Sequence, residues 1–215
     1  MKSFKHLTLA LGLAASALTP AFAGLSNDLV ANGSFEDSPP ALSGSNGSYC
    51  YQNYPVYQCG NLVPAWDGVM PVMSSTSGPW SATPNTATDT LQIGLQNDSH
   101  ISQSISILTP GLYTLSWSDA GRAGYNEQSY AVAFSGITLA TLTTTPGQAW
   151  GAHSVTFGAL AGNQLLSFTG LNTFGDSTAF IDNISMTAAV PEPTTWALML
   201  GGLIAVGSIA RRRQA

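Results

Sequence analysis

The middle of the chain alternates apolar and polar residues, and this period of two constrains the fold more than any other feature. Isoleucines share one face of residues 101–107 and serines occupy the other; after a Thr-Pro-Gly turn, three large apolar residues share one face of residues 112–119. A period of two is that of a half-buried β-strand. Two such strands separated by a Pro-Gly turn predict a β-hairpin.

Eight more short segments are rich in β-branched and aromatic residues and are separated by Gly, Pro, Asn and Asp. They are residues 29–31, 69–73, 90–95, 130–135, 137–143, 151–157, 165–169 and 179–186. Residues 38–57 and 74–89 are polar and predict long loops. Because no part of the middle has a sustained apolar period of 3.6, we expect an all-β sandwich.

Charge excludes one class of partner. Residues 24–189 contain a single basic residue, Arg122, and ten acidic residues, which gives a net charge of −9 with histidine neutral. Such a surface repels a phosphate backbone, so we expect no nucleic-acid partner.

The first 23 residues have the pattern of a signal peptide. Lys2 and Lys5 precede an apolar stretch over residues 7–18, and Ala21 and Ala23 form an A-x-A cleavage site. We therefore expect a signal helix that signal peptidase removes, so that the exported chain begins at residue 24.

The C-terminus predicts a short membrane segment. Pro191, Glu192 and Pro193 precede an apolar run over residues 194–210, and Arg211, Arg212 and Arg213 follow it. A helix over residues 194–210 would span ~25 Å, which is short of a ~30 Å hydrocarbon core. It suits a temporary anchor, although an ordinary single-span anchor after a chance Pro-Glu-Pro is the alternative.

This ending resembles the PEP-CTERM sorting signal. The resemblance covers residues 190–215 and has the Pro-Glu-Pro motif, the apolar helix and the basic cluster in the same order. It implies a Gram-negative host that makes exopolysaccharide, transient anchoring in the inner membrane, and cleavage by an exosortase. The domain would then reach the cell surface or the medium.

The middle resembles the galactose-binding-like jelly rolls of carbohydrate-binding modules. Residues 32–36 read Asn-Gly-Ser-Phe-Glu, residues 110–115 read Pro-Gly-Leu-Tyr-Thr-Leu, and residues 181–184 read Ile-Asp-Asn-Ile. The resemblance implies a jelly roll over residues 24–189 and one structural Ca²⁺ held by Glu36 and Asp182, with carbonyl oxygens near Asn32 and Ser34 helping. Two solvated carboxylates at strand ends fit the same residues equally well.

Two cysteines enclose a tyrosine-rich segment. Export places Cys50 and Cys59 in an oxidising compartment, where an even count of two predicts one disulfide. Closing this loop would stabilise the fold by ~2–3 kcal/mol on the chain-entropy model. Aromatic faces and amides suit contact with sugars, so we expect a glycan site that uses the residues Tyr51, Tyr54, Tyr57 and Trp66, or the concave face of the sandwich. Tyrosines that simply pack onto the sandwich edge are the alternative.

The middle offers little for catalysis. It has no G-x-S-x-G or H-E-x-x-H motif, and nothing singles out a pair of carboxylates. We expect a non-enzymatic structural or adhesive protein near exopolysaccharide. The alternative is a glycan-binding module, and a hydrolase or an ice-binding protein fits less well.

Overall fold

The computed structural model describes residues 28–37 and 40–189, and ten β-strands make up most of them. The strands are β1 Tyr49–Gln52, β2 Asp67–Ser74, β3 Leu91–Gln96, β4 His100–Ile107, β5 Gly111–Gly121, β6 Gln128–Phe134, β7 Ile137–Thr144, β8 Gly151–Ala159, β9 Gly162–Gly170 and β10 Thr178–Ala188. Single 3-10 turns lie at Ser45–Gly47 and Gly78–Trp80.

The strands form two antiparallel sheets packed face to face. One sheet has the order β1-β2-β3-β10-β5-β8 and the other has the order β2-β4-β9-β6-β7. Strand β2 belongs to both, since residues 67–69 pair with β4 and residues 72–74 pair with β3. Gly68, at φ +136°, lies where β2 passes from one sheet to the other, as expected at a sandwich corner.

The predicted jelly-roll β-sandwich is confirmed. The signal peptide 1–23 with its cleavage residues Ala21 and Ala23, and the sorting signal 190–215 with its apolar segment 194–210, lie outside the described residues. Among the residues that are described, no helix is long and apolar enough to cross a membrane.

The predicted hairpin over residues 101–119 is wrong. Strand β4 lies in the second sheet between β2 and β9, whereas β5 lies in the first sheet between β10 and β8. Ile105 and Leu115 are both fully buried in the core between the sheets. Each strand therefore buries its apolar face against the opposite sheet, and the Pro-Gly turn carries the chain across the sandwich.

The other predictions of strands succeed with two exceptions. Residues 29–31 form a turn rather than a strand. Strand β1 lies inside the predicted loop 38–57 and was missed, because its inward face carries Cys50 and Gln52 instead of aliphatic residues. The buried amide of Gln52 accepts from the N–H of Val63 and donates to the carbonyl of Trp66, so its burial leaves no unpaired group.

The two ends of the sandwich differ in what they present. The end that we call the tail end carries the turns at residues 108–110, 135–136 and 160–161. Ala189 also lies there, because its N–H donates to the carbonyl of Leu112. The opposite end, which we call the pocket end, carries the turn 97–99 and the loop 171–177. Strand β4 runs from one end to the other, so the two ends lie roughly 25 Å apart at ~3.3 Å per residue.

Candidate functional site

The disulfide predicted between Cys50 and Cys59 is present, with the Cα atoms 4.9 Å apart. Cys50 lies on β1 and is fully buried, while the tyrosines between the two cysteines extend toward the pocket end. The N–H of Tyr51 donates to the carbonyl of Tyr57, and the N–H of Cys59 donates to the carbonyl of Tyr51. The disulfide and these bonds fix the tyrosine-rich loop to the edge of the first sheet.

A pocket of about 370 Å³ opens beside this loop, and we call it the tyrosine pocket. It is lined by Tyr51, Tyr54, Val69 and residues 96–100. The two tyrosine rings lie 5.6 Å apart at 43° to each other, and Tyr54 is 48% exposed. The walls thus combine aromatic faces with amide, hydroxyl, carboxylate and imidazole groups.

A chain of hydrogen bonds holds Tyr51 in place. Its hydroxyl donates to Oε1 of Gln96 over 3.2 Å, and Nε2 of Gln96 donates to Oδ1 of Asp176 over 2.8 Å. Arg122 donates to the same oxygen over 2.9 Å. Burial, followed by the nearby Tyr49 and Asp176, raises the pKa of Tyr51 to about 12. The phenol of Tyr51 therefore keeps its proton at neutral pH and can continue to donate.

The basic end of this chain is itself packed between aromatic rings. The guanidinium carbon of Arg122 lies 4.3 Å from the ring centre of Trp80 and 3.5 Å from that of Tyr125. Arg122 is only 5% exposed, so these contacts and Asp176 surround most of its charge. The two rings hold the guanidinium of Arg122 in place beside Asp176, at the end of the hydrogen-bond chain that reaches Tyr51.

The predicted glycan-binding residues divide into three groups. Tyr51 and Tyr54 line the pocket, as the hypothesis requires. Tyr57 is half exposed but lies outside the pocket, where its ring contacts Tyr49 at 5.6 Å. The prediction for Trp66 is wrong, because this side chain is 2% exposed: its ring packs 5.6 Å from Phe35 and its Nε1 donates to the carbonyl of Asn32.

Sequence reasoning missed the other wall of the pocket, which is formed by the turn between β3 and β4. Gln96, Asn97, Asp98 and His100 line it. The Asn-Asp pair between two predicted strands signals a turn, but nothing in the sequence places that turn beside residues 51–54. Among the described residues that line the pocket, Asp98 supplies one carboxylate, whereas glycoside hydrolysis ordinarily needs two.

A second polar group lies midway along the first sheet. Asp182 on β10 is fully buried; its Oδ1 accepts from the N–H of Asn183 over 2.7 Å, no group donates to its Oδ2, and the side chain of Asp89 lies within hydrogen-bond reach of the carboxyl. Burial, and then the neighbouring carboxylates of Asp89 and Glu36, raise the pKa of Asp182 to about 8 against the opposing bond from Asn183. At neutral pH this carboxyl is largely protonated as long as no cation compensates it.

Glu36 reaches this region because the N-terminal segment docks against β10. The strand bulges between Asp182 and Ser185, and at the bulge the N–H of Ile184 donates to the carbonyl of Gly33. The carboxylate of Glu36 then accepts from the N–H groups of Thr90 and Leu91 and from the hydroxyl of Thr90. Glu36 therefore ties residues 28–37 to the start of β3.

The residues of this region suit calcium only in part. Within residues 28–37 and 40–189, no three His, Cys, Asp or Glu side chains are arranged to hold a metal ion. The unpaired Oδ2 of Asp182 and the remaining acceptor position of Glu36 are nevertheless the oxygen donors that Ca²⁺ prefers. The expected help from Asn32 is wrong for its carbonyl oxygen, which already accepts from Trp66 and from the N–H of Phe35.

A third buried polar group joins the two sheets. Asp119 on β5 accepts from the hydroxyl of Tyr130 on β6 over 2.8 Å, and that hydroxyl accepts from Nε1 of Trp117. His153 lies 2.8 Å from the other oxygen of Asp119, and its ring stacks on Trp117. Both oxygens of Asp119 and the hydroxyl of Tyr130 are hydrogen-bonded within the protein, so the set positions the strands of the two sheets.

The fold and the tyrosine pocket together define a jelly-roll domain with a small, open, aromatic-walled pocket. Residues 189–214 match the PEP-CTERM protein-sorting motif. The chain thus carries the motif of exported, membrane-passing proteins of Gram-negative bacteria, which implies processing by an exosortase.

Solved structures similar to this chain include carbohydrate-binding modules. TmCBM61, solved with β-1,4-galactotriose, is 15% identical with a TM-score of 0.47, and the match covers 76% of this chain and 100% of that one. The CBM22-1 xylan-binding domain of Paenibacillus barcinonensis Xyn10C is 11% identical with a TM-score of 0.44, over 78% and 97%. A CBM36 module in complex with calcium and xylotriose is 14% identical with a TM-score of 0.39, over 47% and 85%. No curated protein matches the chain.

Proposed function

We propose that this chain is an exported adhesive protein that binds glycan of the exopolysaccharide through the tyrosine pocket. Signal peptidase and exosortase trim its two ends, and the sandwich is then displayed at the cell surface or released. In this proposal the protein holds on to polysaccharide without changing any covalent bond in it.

One observation carries the proposal: two tyrosine rings stand beside Asn97, Asp98 and His100 in one preorganised pocket. Aromatic faces pack against the C–H surfaces of a sugar ring while the polar groups bind its hydroxyls. The disulfide, the Gln96 bond and the stacked Arg122 order the wall before any ligand arrives. A wall ordered in advance loses less conformational entropy on binding.

We further propose that Asp182 and Glu36 hold one structural Ca²⁺, with Asp89 beside them. The support is the buried Oδ2 of Asp182, which accepts no hydrogen bond, and the nearby carboxylates of Asp89 and Glu36, which raise the pKa of Asp182. Bound calcium would compensate that charge and fasten the N-terminal segment to β10. Gln92 also has both of its amide atoms buried without partners. The register that pairs Ile181 with Ile93 places Gln92 across from Asp182.

Glycan binding is tested with residues 24–189, which contain both sheets. The probes are the host's own exopolysaccharide and defined oligosaccharides such as β-1,4-galactotriose and xylotriose, titrated by calorimetry. We expect Tyr54→Ala to weaken binding at least about fivefold, which corresponds to ~1 kcal/mol for the loss of an aromatic contact.

Tyr57→Ala is the matched control. Tyr57 is as exposed as Tyr54 and lies in the same disulfide-closed loop, but outside the pocket. Its replacement should leave the affinity unchanged. Equal losses in the two variants, or no selective binding of any probe by the unchanged protein, would contradict a role for the tyrosine pocket.

A further inference from the structure

The tail end of the sandwich exposes large aliphatic side chains that the proposed glycan site does not use. Their exposed fractions are 87% for Leu108, 61% for Leu112, 68% for Ile137, 75% for Leu160 and 53% for Leu165. Soluble domains do expose single apolar residues, but a group at one end indicates a contact surface.

The strand pairing brings these five residues to the same end. Ile107 pairs with Gly162, and Gly111 pairs with Ala159, so the turn that bears Leu108 and Leu112 adjoins the turn that bears Leu160. The N–H of Ser135 donates to the carbonyl of Leu165, which brings the turn before Ile137 to the same place. A cleft of about 350 Å³, lined by Phe134, Leu139, Phe157 and other residues, opens between these turns.

The three described segments that bear these aliphatic side chains also lack charge. The segments 107–113, 134–139 and 157–166 contain no Asp, Glu, Lys or Arg. At the pocket end, by contrast, the exposed Phe174 lies two residues before Asp176, and Asn172, the chain neighbour of the exposed Leu171, donates to the carbonyl of Glu127. Acidic groups are repelled by an anionic lipid surface, so the uncharged segments of the tail end suit such a surface better than the pocket end does.

The place where the chain leaves the sandwich indicates that the partner of the tail end is the membrane. Ala189 leaves β10 at this end, bonded to Leu112, and the match to the sorting motif begins at the same residue. Four residues, 190–193, separate Ala189 from the start of the apolar segment at Thr194, and the five Cα-to-Cα steps between them can reach at most ~18 Å. When that segment is inserted, the aliphatic end therefore stays close to the bilayer, at high effective concentration.

We propose that the tail end is a membrane-contacting surface. Leu108, Leu112, Ile137, Leu160 and Leu165 enter the interface of the bilayer that holds the sorting tail, and the tyrosine pocket, roughly 25 Å away along β4, points outward. The inference rests on the export and tail insertion of the proposed function. It adds that the domain is held upright against the membrane before exosortase releases it.

The experiment uses the full chain reconstituted in vesicles of phosphatidylethanolamine and phosphatidylglycerol. An environment-sensitive fluorophore is attached through Leu160→Cys in one sample and through the exposed Asp98→Cys, in the turn of the pocket end, in another. Lipids that carry a quencher at the interface should quench the probe at residue 160 at least threefold more than the probe at residue 98. Replacing Leu108 and Leu112 by serine should reduce that difference, with the fold checked by circular dichroism.

Three results would overturn the inference. Equal weak quenching at both positions would show that the tail end stays in water. If the probe at residue 160 is shielded from water but lipid does not quench it, a second copy or the chain's own tail covers this end. Energy transfer between differently labelled copies would then identify a second copy. A chain that fails to float with the vesicles contradicts tail insertion itself, whereas flotation without quenching at residue 160 contradicts only the membrane contact.

Discussion

Gly33 and Ile184 meet so closely that only a residue without a side chain fits at position 33. The N–H of Ile184 donates to the carbonyl of Gly33 over 2.9 Å, and a Cβ atom on residue 33 would overlap the carbonyl oxygen of Ile184. This contact docks the N-terminal segment at the bulge of β10 and so brings Glu36 toward Asp182. A change at residue 33 therefore affects both the stability and the geometry of the carboxylates.

Gly33→Ala should lower the free energy of unfolding by ~1–3 kcal/mol, the usual cost of forcing extra atoms into a packed site. Urea denaturation measures it. Gly158→Ala is the control, because a Cβ atom at residue 158 meets nothing within 4 Å. If both variants are as stable as the original protein, the N-terminal segment does not dock as described.

Asp182 should make the calcium-free protein less stable as pH rises. Its folded-state pKa of about 8 lies above its ordinary value of 3.8, so the folded protein keeps a proton that the unfolded chain releases. The stabilisation is therefore complete below pH ~4 and is lost as pH rises through ~8. With EDTA present, Asp182→Asn should gain stability relative to the original protein between pH 5 and pH 8. A difference that stays constant with pH would contradict this ionisation behaviour.

Calcium should raise the melting temperature of the unchanged protein at pH 8, since a ligand that binds only the folded state stabilises it by mass action. Asp182→Asn should abolish the increase. Asp37→Asn is the control and should retain the increase, because Asp37 follows Glu36 in the chain but is exposed and is not a proposed ligand. Magnesium, which demands a tighter octahedral site, should have little effect. An equal response in all three proteins would contradict a calcium site at Asp182.

Replacing both Cys50 and Cys59 by alanine should cost ~2–3 kcal/mol of stability on the chain-entropy model. It should also weaken glycan binding although Tyr51 and Tyr54 remain, because Tyr54 lies within the loop that the disulfide closes. Denaturation and calorimetry on the same samples separate the two effects. A reductant should weaken binding by the original protein and leave the double variant unchanged, and the reverse result would contradict preorganisation by the disulfide.

Trp66 and Tyr54 should respond oppositely to truncation. Trp66→Ala removes a buried ring and its bond to the carbonyl of Asn32, so unfolding should become easier by ~3–5 kcal/mol. Tyr54→Ala should change stability by no more than ~0.5 kcal/mol, as is usual at exposed positions, while it weakens glycan binding. A Trp66→Ala variant that is stable but no longer binds glycan would contradict the core role of Trp66 and indicate that it contacts the glycan.

Nine of the ten strands that local patterns predict are present, and so is the disulfide, because both depend on information within a few residues or on composition. Alternation alone identifies a strand such as residues 101–107 and names its buried face. It does not say which strand lies beside it, and for that reason the hairpin prediction failed. The partners of β4 are 31 to 69 residues away in sequence, and the packing of two apolar faces into one core selects them.

The sequence by itself determined an all-β domain followed by a PEP-CTERM sorting motif, and it predicted a signal peptide, since periodicity and terminal motifs can be recognised within short segments. Only the tertiary structure decided that Tyr51 and Tyr54 meet the turn 96–100, that Trp66 is core, and that Glu36 approaches a buried Asp182. Those relationships join residues far apart in the chain. They depend on which strand pairs with which, and pairing follows from the burial of the whole apolar surface at once.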